Sequence, residues 1–323
     1  MNTMDHIQQH LDSELREFES TFRKSVKSKT ALLDRIMHYV IKRKGKQVRP
    51  MFVLLSARLF GPIKDSTYRA AALVELLHTA TLVHDDVVDE AFERRNFFSI
   101  NALWKNKIAV LVGDYLLSRG LLLSLEHDDF KILKLLSQAV QKMSEGELLQ
   151  LEKARGLNLD ESVYFEIIRN KTASLLASAC GAGAWSSTED ENITQKMMLF
   201  GEKAGIAFQI KDDLFDYGST SVGKPTGNDI REKKITLPLL YTLNQVSGSK
   251  KRALIYLIKN ENRNKKSVQQ IIDEVQHHGG IAYATECMHR YRDEAIALLH
   301  DFEDNPYRSA LEQLVRFTTD RKY

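Results

Sequence analysis

Apolar residues recur three and four positions apart along most of the chain, the spacing that lays one stripe along an α-helix. Ile7, Leu11, Leu15 and Phe18 mark a first amphipathic helix, 1 to about 24, and a second runs from about Leu32 to Lys42. Met51–Phe60 follows, closed by Gly61-Pro62, and then a long apolar segment from Tyr68 to about Phe92. Ile108–Leu125 is apolar nearly all round apart from Asp114 and Arg119, the pattern of a helix at the centre of a large bundle. The period continues through Lys131–Glu152, Glu161–Trp185, Asn192–Tyr217, Leu237–Asn244, Lys250–Lys259, Ser267–His278, Ile281–Phe302 and a last helix from Ser309. No stretch alternates as a strand does, and no repeat of solenoid period is visible. The conspicuous interruption is the loop Gly218–Lys234, with Gly218, Gly223, Pro225 and Gly227 in quick succession. Nothing mid-chain reads as a linker, so the expectation is one all-α domain over 1–323.

Composition changes this picture little. Only 5 Pro and 16 Gly occur in 323 residues, which suits helix, and 43% hydrophobic residues suffice for a sizeable core. The formal charge of +3 is too mild for a nucleic-acid partner. The cations instead concentrate locally, in Lys42–Arg49 and Arg231–Lys234. Cys180 and Cys287 have neither metal spacing nor a disulfide framework, and are expected as buried reduced thiols in a cytoplasmic protein. The N-terminal stretch carries Asp5, Asp12, Glu14, Arg16 and Glu17, so it does not read as a signal peptide. Uncharged runs such as Thr172–Thr188 fall short of the ~18 apolar residues a membrane span needs, leaving at most a peripheral membrane contact.

Chemistry concentrates in two places. Leu82-Val83-His84-Asp85-Asp86-Val87-Val88-Asp89 is an apolar run ending in three carboxylates, and Asp212-Asp213-Leu214-Phe215-Asp216 repeats the arrangement after Gly205–Ile210. Asp85 and Asp89 share one helix face, where like charges repel. Both triplets fall at the C-terminal ends of helices, where the macrodipole disfavours anions. One such triplet alone is more often a solvated helix face. Two of them, each after an apolar run, point to carboxylate walls holding hard divalent cations, and Mg2+ is usually held this way together with substrate phosphates. Cations recur beside them: Lys46 and Arg49 in a Gly-led turn, Arg94 and Arg95 after the first triplet, Lys171 beside Thr172, and Lys224 and Lys234 around the loop. Singly, each reads as a surface cation. His78, two turns before Asp85, reads alone as a core histidine, and Gln209 either lines the same site or is a buried amide.

Several stretches in fixed order carry a resemblance from about residue 30 to the C-terminus. They are Gly45–Pro50, Glu75–Asp89, Arg94-Arg95, Gly113–Leu117, Lys171–Ala173, Phe208–Asp216, and Gly223-Lys224-Pro225 through Asp229 to Pro238. The chain resembles the trans-polyprenyl diphosphate synthases. The resemblance implies a bundle of helices around a deep central cavity, usually a homodimer, with residues 1–25 as an N-terminal helix available to the subunit contact. It implies three Mg2+ ions bridging the triplets to an allylic diphosphate: Asp85 and Asp89 bind metal from one wall and Asp212 from the other, with Asp86, Asp213 and Asp216 supporting. It places isopentenyl diphosphate on Lys46, Arg49, His78 and Arg95, and the allylic diphosphate on Arg94, Lys171, Thr172, Gln209, Lys224 and Lys234. Asp85, Asp86, Asp89, Arg94, Lys171, Asp212, Asp213 and Lys224 are the catalytic set. The chain departs from the family pattern at Asn96 and Lys233, both in positions where the family favours Gly; Lys233 puts the role of Lys234 in doubt.

Product length reads from the helix before the first triplet. Ala80 and Thr81, five and four residues ahead of Asp85, are small, with Leu77 and Val74 one and two turns deeper. An early aromatic stop is absent, which favours a long chain of about C30 to C45 by the resemblance, of the kind used for quinone side chains. Rival readings are a geranylgeranyl or farnesyl diphosphate synthase, the catalytic large subunit of a two-component synthase with a small partner, and a terpene cyclase, which usually lacks the Lys46, Arg49, His78 set. A helical metal-binding scaffold is the non-enzyme reading.

Overall fold

The computed structural model describes residues 3–42, 45–94, 97–156, 160–218 and 227–321. Helices make up nearly all of it, as the periodicity predicts. They fall into two compact units. The first comprises Met1–Val140, Leu175–Met198 and Asp304–Leu311, and the second Gln141–Ser174, Leu199–Glu303 and Glu312–Tyr323. Neither is one continuous segment, which is why no linker is visible in the sequence.

In the first unit, α1 (Thr3–Gln9) and α2 (Asp12–Ser25) divide the N-terminal stretch read as one helix. The break is at Leu11, which leaves helical geometry (φ −125°, ψ 14°) yet stays fully buried. Then come α3 (Ala31–Lys42), α4 (Val48–Arg58) and α5 (Asp65–Val88). The start of α5 is capped by the Thr67 hydroxyl, which accepts from the Lys64 N–H (3.2 Å), and Ala70–Val74 are fully buried behind it. Two short strands the periodicity could not reveal, β1 (Glu93–Arg94) and β2 (Phe97–Phe98), pair antiparallel with Glu93 opposite Phe98.

Helix α6 (Ile100–Leu125) starts at Ser99, whose Oγ accepts from the Ala102 N–H (3.3 Å). It begins eight residues before the apolar pattern does, because Lys105 interrupts it in a non-helical conformation (φ 68°, ψ 159°). α6 runs antiparallel to α5 in close contact. A Cβ at Gly113 would lie 2.1 Å from His84 Nε2, and one at Gly120 would lie 2.7 Å from Leu73 Cδ1. The expectation of a central helix covered all round is corrected here. Ala109, Val112, Gly113, Leu116, Gly120 and Leu123 are buried, whereas Leu103, Val110, Leu111, Leu121, Leu122 and Leu125 are exposed. By length and hydropathy α6 is also the one helix among the described residues that could span a membrane.

The second unit takes part of α7 (Phe130–Gly156), then α8 (Glu161–Ile168), a single π-helical turn (Arg169–Ala173), the first residue of α9 (Ser174–Thr188) and most of α10 (Glu191–Phe215). α11 (Asn228–Arg231), α12 (Leu237–Gln245), α13 (Gly248–Asn260), α14 (Lys265–His277), α15 (Gly280–Leu299) and α16 (Pro306–Asp320) complete the chain. Ile206, Ile210, Tyr217, Leu237, Ile271, Val275 and Ala284 share one core cluster. Each fully buried aliphatic side chain there contributes roughly 1.5–3 kcal/mol. Tyr217 is fully buried with its hydroxyl bonded to Thr236 Oγ1 (2.6 Å), which anchors the chain just past the second acidic triplet.

Candidate active site

The first triplet lies where the sequence places it. α5 ends at Val88, so Asp85 and Asp86 sit in its last turn and Asp89 is the C-cap residue. Asp86 is buried, Asp85 half-buried and Asp89 exposed. The exit from the helix is pinned by Asn101 Nδ2, which donates to the backbone oxygens of Asp86 and Ala91 (3.0 Å each), and by Ser99 Oγ, which donates to Ala91 O (2.7 Å). Carboxylates at this helix end face the negative pole of the macrodipole, a placement that a bound cation compensates.

Lys46 precedes α4 and Arg49 lies in its first turn, after Gln47 in a left-handed N-cap conformation (φ 54°). A helix start flanked by two cations suits an anion. His78 is buried on α5, and its backbone oxygen accepts from Thr81 Oγ1 (2.9 Å). Ala80 and Thr81 differ. Ala80 and Val74 are fully buried and Leu77 is buried, whereas Thr81 keeps some exposure on the face of Asp85. Arg94 has its backbone in β1; Arg95 and Lys224 lie outside the described residues.

The second triplet ends α10: Asp212 and Asp213 are in its last turn and Asp216 lies just past it. Asp213 is held by a relay. Thr172 Oγ1 donates to Gln209 Oε1 (2.7 Å), Gln209 Nε2 donates to Asp213 Oδ1 (2.9 Å), and the Tyr164 hydroxyl donates to Asp213 Oδ2 (2.7 Å). Thr172, which the resemblance assigns, thus reaches the Asp213 carboxylate through Gln209, which from the residues alone could have been a buried amide. Burial pushes the Asp213 acid up to about 6. Asp216 accepts from the backbone N–H groups of Asn228 (2.7 Å) and Asp229 (3.0 Å), which ties α11 to the end of α10. Burial, with Asp213 and Asp216 as anionic neighbours, lifts Asp229 to about 7. Lys234 offsets part of this and also pairs with Glu232.

A π-turn delivers Lys171 and Thr172, and two glycines make room for it. A Cβ at Gly146 of α7 would lie 2.8 Å from Lys171 N, and one at Gly205 of α10 would lie 2.6 Å from Ala173 Cα. On the α7 side Lys171 pairs with Glu147 and lies 3.5 Å from Gln150 Oε1. On the α10 side Gln209 takes Thr172, one turn beyond Gly205. Tyr164, Glu147, Asp229 and Arg321, which pairs with Asp212, are functional candidates that sequence reasoning did not assign. Of these, Asp229 alone lay within a quoted motif. Tyr164 and Glu147 lie on helices, and Arg321 just past one, that are distant in sequence from the residues they hold.

Among the described residues, no three His, Cys, Asp or Glu side chains converge to hold a metal by themselves. The donors present are nonetheless hard carboxylate oxygens, and Asp213 and Asp216 both repel Asp229, which a cation relieves. An open oxygen set of this kind fits Mg2+, which completes its shell with water and phosphate oxygens.

A family model described as "Polyprenyl synthetase" matches residues 11–275. The all-trans-nonaprenyl-diphosphate synthase (geranyl-diphosphate specific) of Rhodobacter capsulatus is 35% identical over 92% of this chain and 91% of its own. Heptaprenyl diphosphate synthase component 2 of Bacillus subtilis is 31% identical over 97% of this chain and 89% of its own. A polyprenyl synthase from Caulobacter crescentus, solved with calcium and isoprenyl diphosphate, superposes with a TM-score of 0.91 at 34% identity, covering 99% and 98% of the two chains. A geranylgeranyl pyrophosphate synthase from Bacteroides thetaiotaomicron superposes at 0.85 with 37% identity, covering 99% and 100%.

Proposed function

Because this chain belongs to the polyprenyl synthetase family of prenyltransferases, we propose that it condenses isopentenyl diphosphate head-to-tail with an allylic diphosphate to build a long all-trans polyprenyl diphosphate, hexaprenyl to nonaprenyl. The observation that carries this is the pair of acidic helix ends, one of them locked by the Thr172–Gln209–Asp213–Tyr164 relay and flanked by Lys171 and Lys234. Both units act as one catalytic domain on this reading; the family model running through segments of both supports it.

Asp85, Asp89 and Asp212 hold Mg2+, with Asp86, Asp213 and Asp216 in support, and three ions per site are expected. When bound, the metal withdraws charge from the departing diphosphate. Lys171, Arg94, Lys224 and Lys234 stabilise the same leaving group electrostatically, while Thr172 and Gln209 orient it. Lys46, Arg49, His78 and Arg95 hold isopentenyl diphosphate at the start of α4, so its double bond is positioned rather than activated. Catalysis is then orientation plus stabilisation of separated charge, with apolar walls keeping water from the allylic cation.

Thr81, small and accessible beside Asp85, supports a long product. The similarity to a nonaprenyl synthase points the same way, and the similarity to a geranylgeranyl synthase keeps the shorter product as the rival. The exposed leucine stripe of α6 supports a homodimer. The similarity to a protein named component 2 keeps a small partner subunit in view. Two buried free cysteines agree with a cytoplasmic enzyme. The test is a product assay on the purified protein with Mg2+, farnesyl diphosphate and labelled isopentenyl diphosphate. A ladder ending between hexaprenyl and nonaprenyl supports the proposal. A stop at geranylgeranyl diphosphate refutes the long product, and no incorporation refutes a self-sufficient synthase.

A further inference from the structure

The end of α16 carries a cation that none of the roles above uses. The helix closes at Asp320, and the next residue, Arg321, reaches α10, where its guanidinium pairs with Asp212 Oδ1. The same guanidinium lies 4.3 Å from the centre of the Phe208 ring and 5.3 Å from that of Phe215. Phe208, Asp212 and Phe215 are at i, i+4 and i+7, so they share one face of α10 and form an aromatic–carboxylate–aromatic seat for one arginine. The Arg321 side chain is only 19% exposed, and its Nε is buried with no hydrogen-bond partner among the described residues. Asp320, just before it, is tied to Arg292 (3.4 Å), which fixes the end of α16. The half-buried Lys211 ammonium is pulled down by burial and then by Arg321, so two cations already crowd this face.

We propose that Arg321 is the resident counter-cation of the second acidic helix end: it holds Asp212 while metal is absent and leaves it when metal and diphosphate load. This rests on the reading of Asp212 as a metal ligand. A carboxylate oxygen that accepts from a guanidinium has less charge to offer a divalent ion, and the two cations repel across a short distance. Asp212 therefore exchanges one cation for another. By linkage, Arg321 stabilises the metal-free chain and weakens loading by the same factor.

The experiment compares the full-length protein with Arg321→Gln by thermal denaturation and calorimetric titration, using Mg2+ with inorganic diphosphate as a non-reacting probe. Without the probe, Arg321→Gln melts below the parent chain. With it, the variant gains more, and the probe binds about three- to tenfold tighter, the range for one ordinary hydrogen bond, since the Asp212 carboxylate is partly exposed. In an Asp212→Asn background, Arg321→Gln causes no further loss of metal-free stability. Equal binding by parent and variant overturns the proposal and leaves the metal site standing. Weaker binding by the variant also overturns it, by making Arg321 a diphosphate contact. If the parent protein binds no probe, the metal-site reading falls and takes this proposal with it.

Discussion

Gly205→Ala is the substitution whose consequence the geometry defines most closely. Its new Cβ would stand 2.6 Å from Ala173 Cα and 2.8 Å from Ala173 Cβ, where ordinary contact starts at 3.4 Å. The shortfall is 3.4 − 2.6 = 0.8 Å, against backbone of the π-turn rather than a side-chain tip that could swing away. Overpacking of this kind costs about 1–3 kcal/mol. Alanine returns about 1 kcal/mol of helix propensity, so the net loss of stability is small, about 0–2 kcal/mol. The catalytic loss is larger, because the turn carries Lys171 and Thr172, and a misplacement near 1 Å can cost about 10²-fold. The expected result is a melting temperature within a few degrees of the parent chain and a kcat/KM for the allylic substrate lower by at least tenfold. Gly248→Ala is the control, since its nearest neighbour would be Arg252 Nη1 at 3.8 Å. Urea denaturation and steady-state kinetics on the three proteins decide the matter. Full kcat/KM in Gly205→Ala would refute the idea that the glycine positions the turn.

Four further outcomes are expected. Asp213 and Asp229 titrate near 6 and 7 when folded against 3.8 otherwise; the folded state therefore binds protons more tightly, and their contribution to stability is present below about pH 4 and lost as pH rises through 6–7. The urea midpoint of the metal-free protein, taken relative to that of Asp229→Asn, should accordingly fall from pH 5 to pH 8, and a rise over that range would reverse the assignment. Tyr164→Phe removes a donor from a buried carboxylate and should cost about 1–3 kcal/mol in denaturant titrations; an unchanged midpoint would deny the relay its structural weight. Thr81→Phe should shorten the longest product in the ladder while leaving the first condensation intact, whereas an unaltered ladder would move the length-setting position elsewhere. Leu111→Glu with Leu122→Glu, both exposed on α6, should convert a dimer to monomer in sedimentation velocity, and an intact dimer would put the subunit contact on another face.

The two acidic helix ends were legible because each combines local signals: an apolar run of helical period, then carboxylates at i, i+1 and i+4. The helix breaks were not. The π-turn at Arg169–Ala173 sits inside Glu161–Trp185, where one widened turn barely disturbs the apolar period. Lys105 hides the first turn of α6 in the same manner. Hydrophobicity also does not say what covers a helix, so a stripe of leucines facing outward on α6 reads like a buried one. Ala80 and Thr81 are adjacent and both small, and their difference in exposure depends on how the rest of the chain packs around α5.

The countercharges are the hardest part to read, for a physical reason. A carboxylate cluster at a helix end is written in five consecutive residues, but the groups that make it tolerable come from wherever the fold brings them. Asp213 takes its donors from Tyr164 and Gln209, and Asp216 from the backbone at Asn228 and Asp229. Asp212 takes Arg321, 109 positions away. Two of the basic residues picked out by adjacency in sequence pair with acids outside the triplets: Lys171 with Glu147, and Lys234 with Glu232. These pairings give the resting site a set of cations already engaged. On the proposed reading diphosphate and metal displace them, and the resting pairs then set how tightly substrate is held before any bond is made. Their strength is therefore a property of the site as much as the cations themselves.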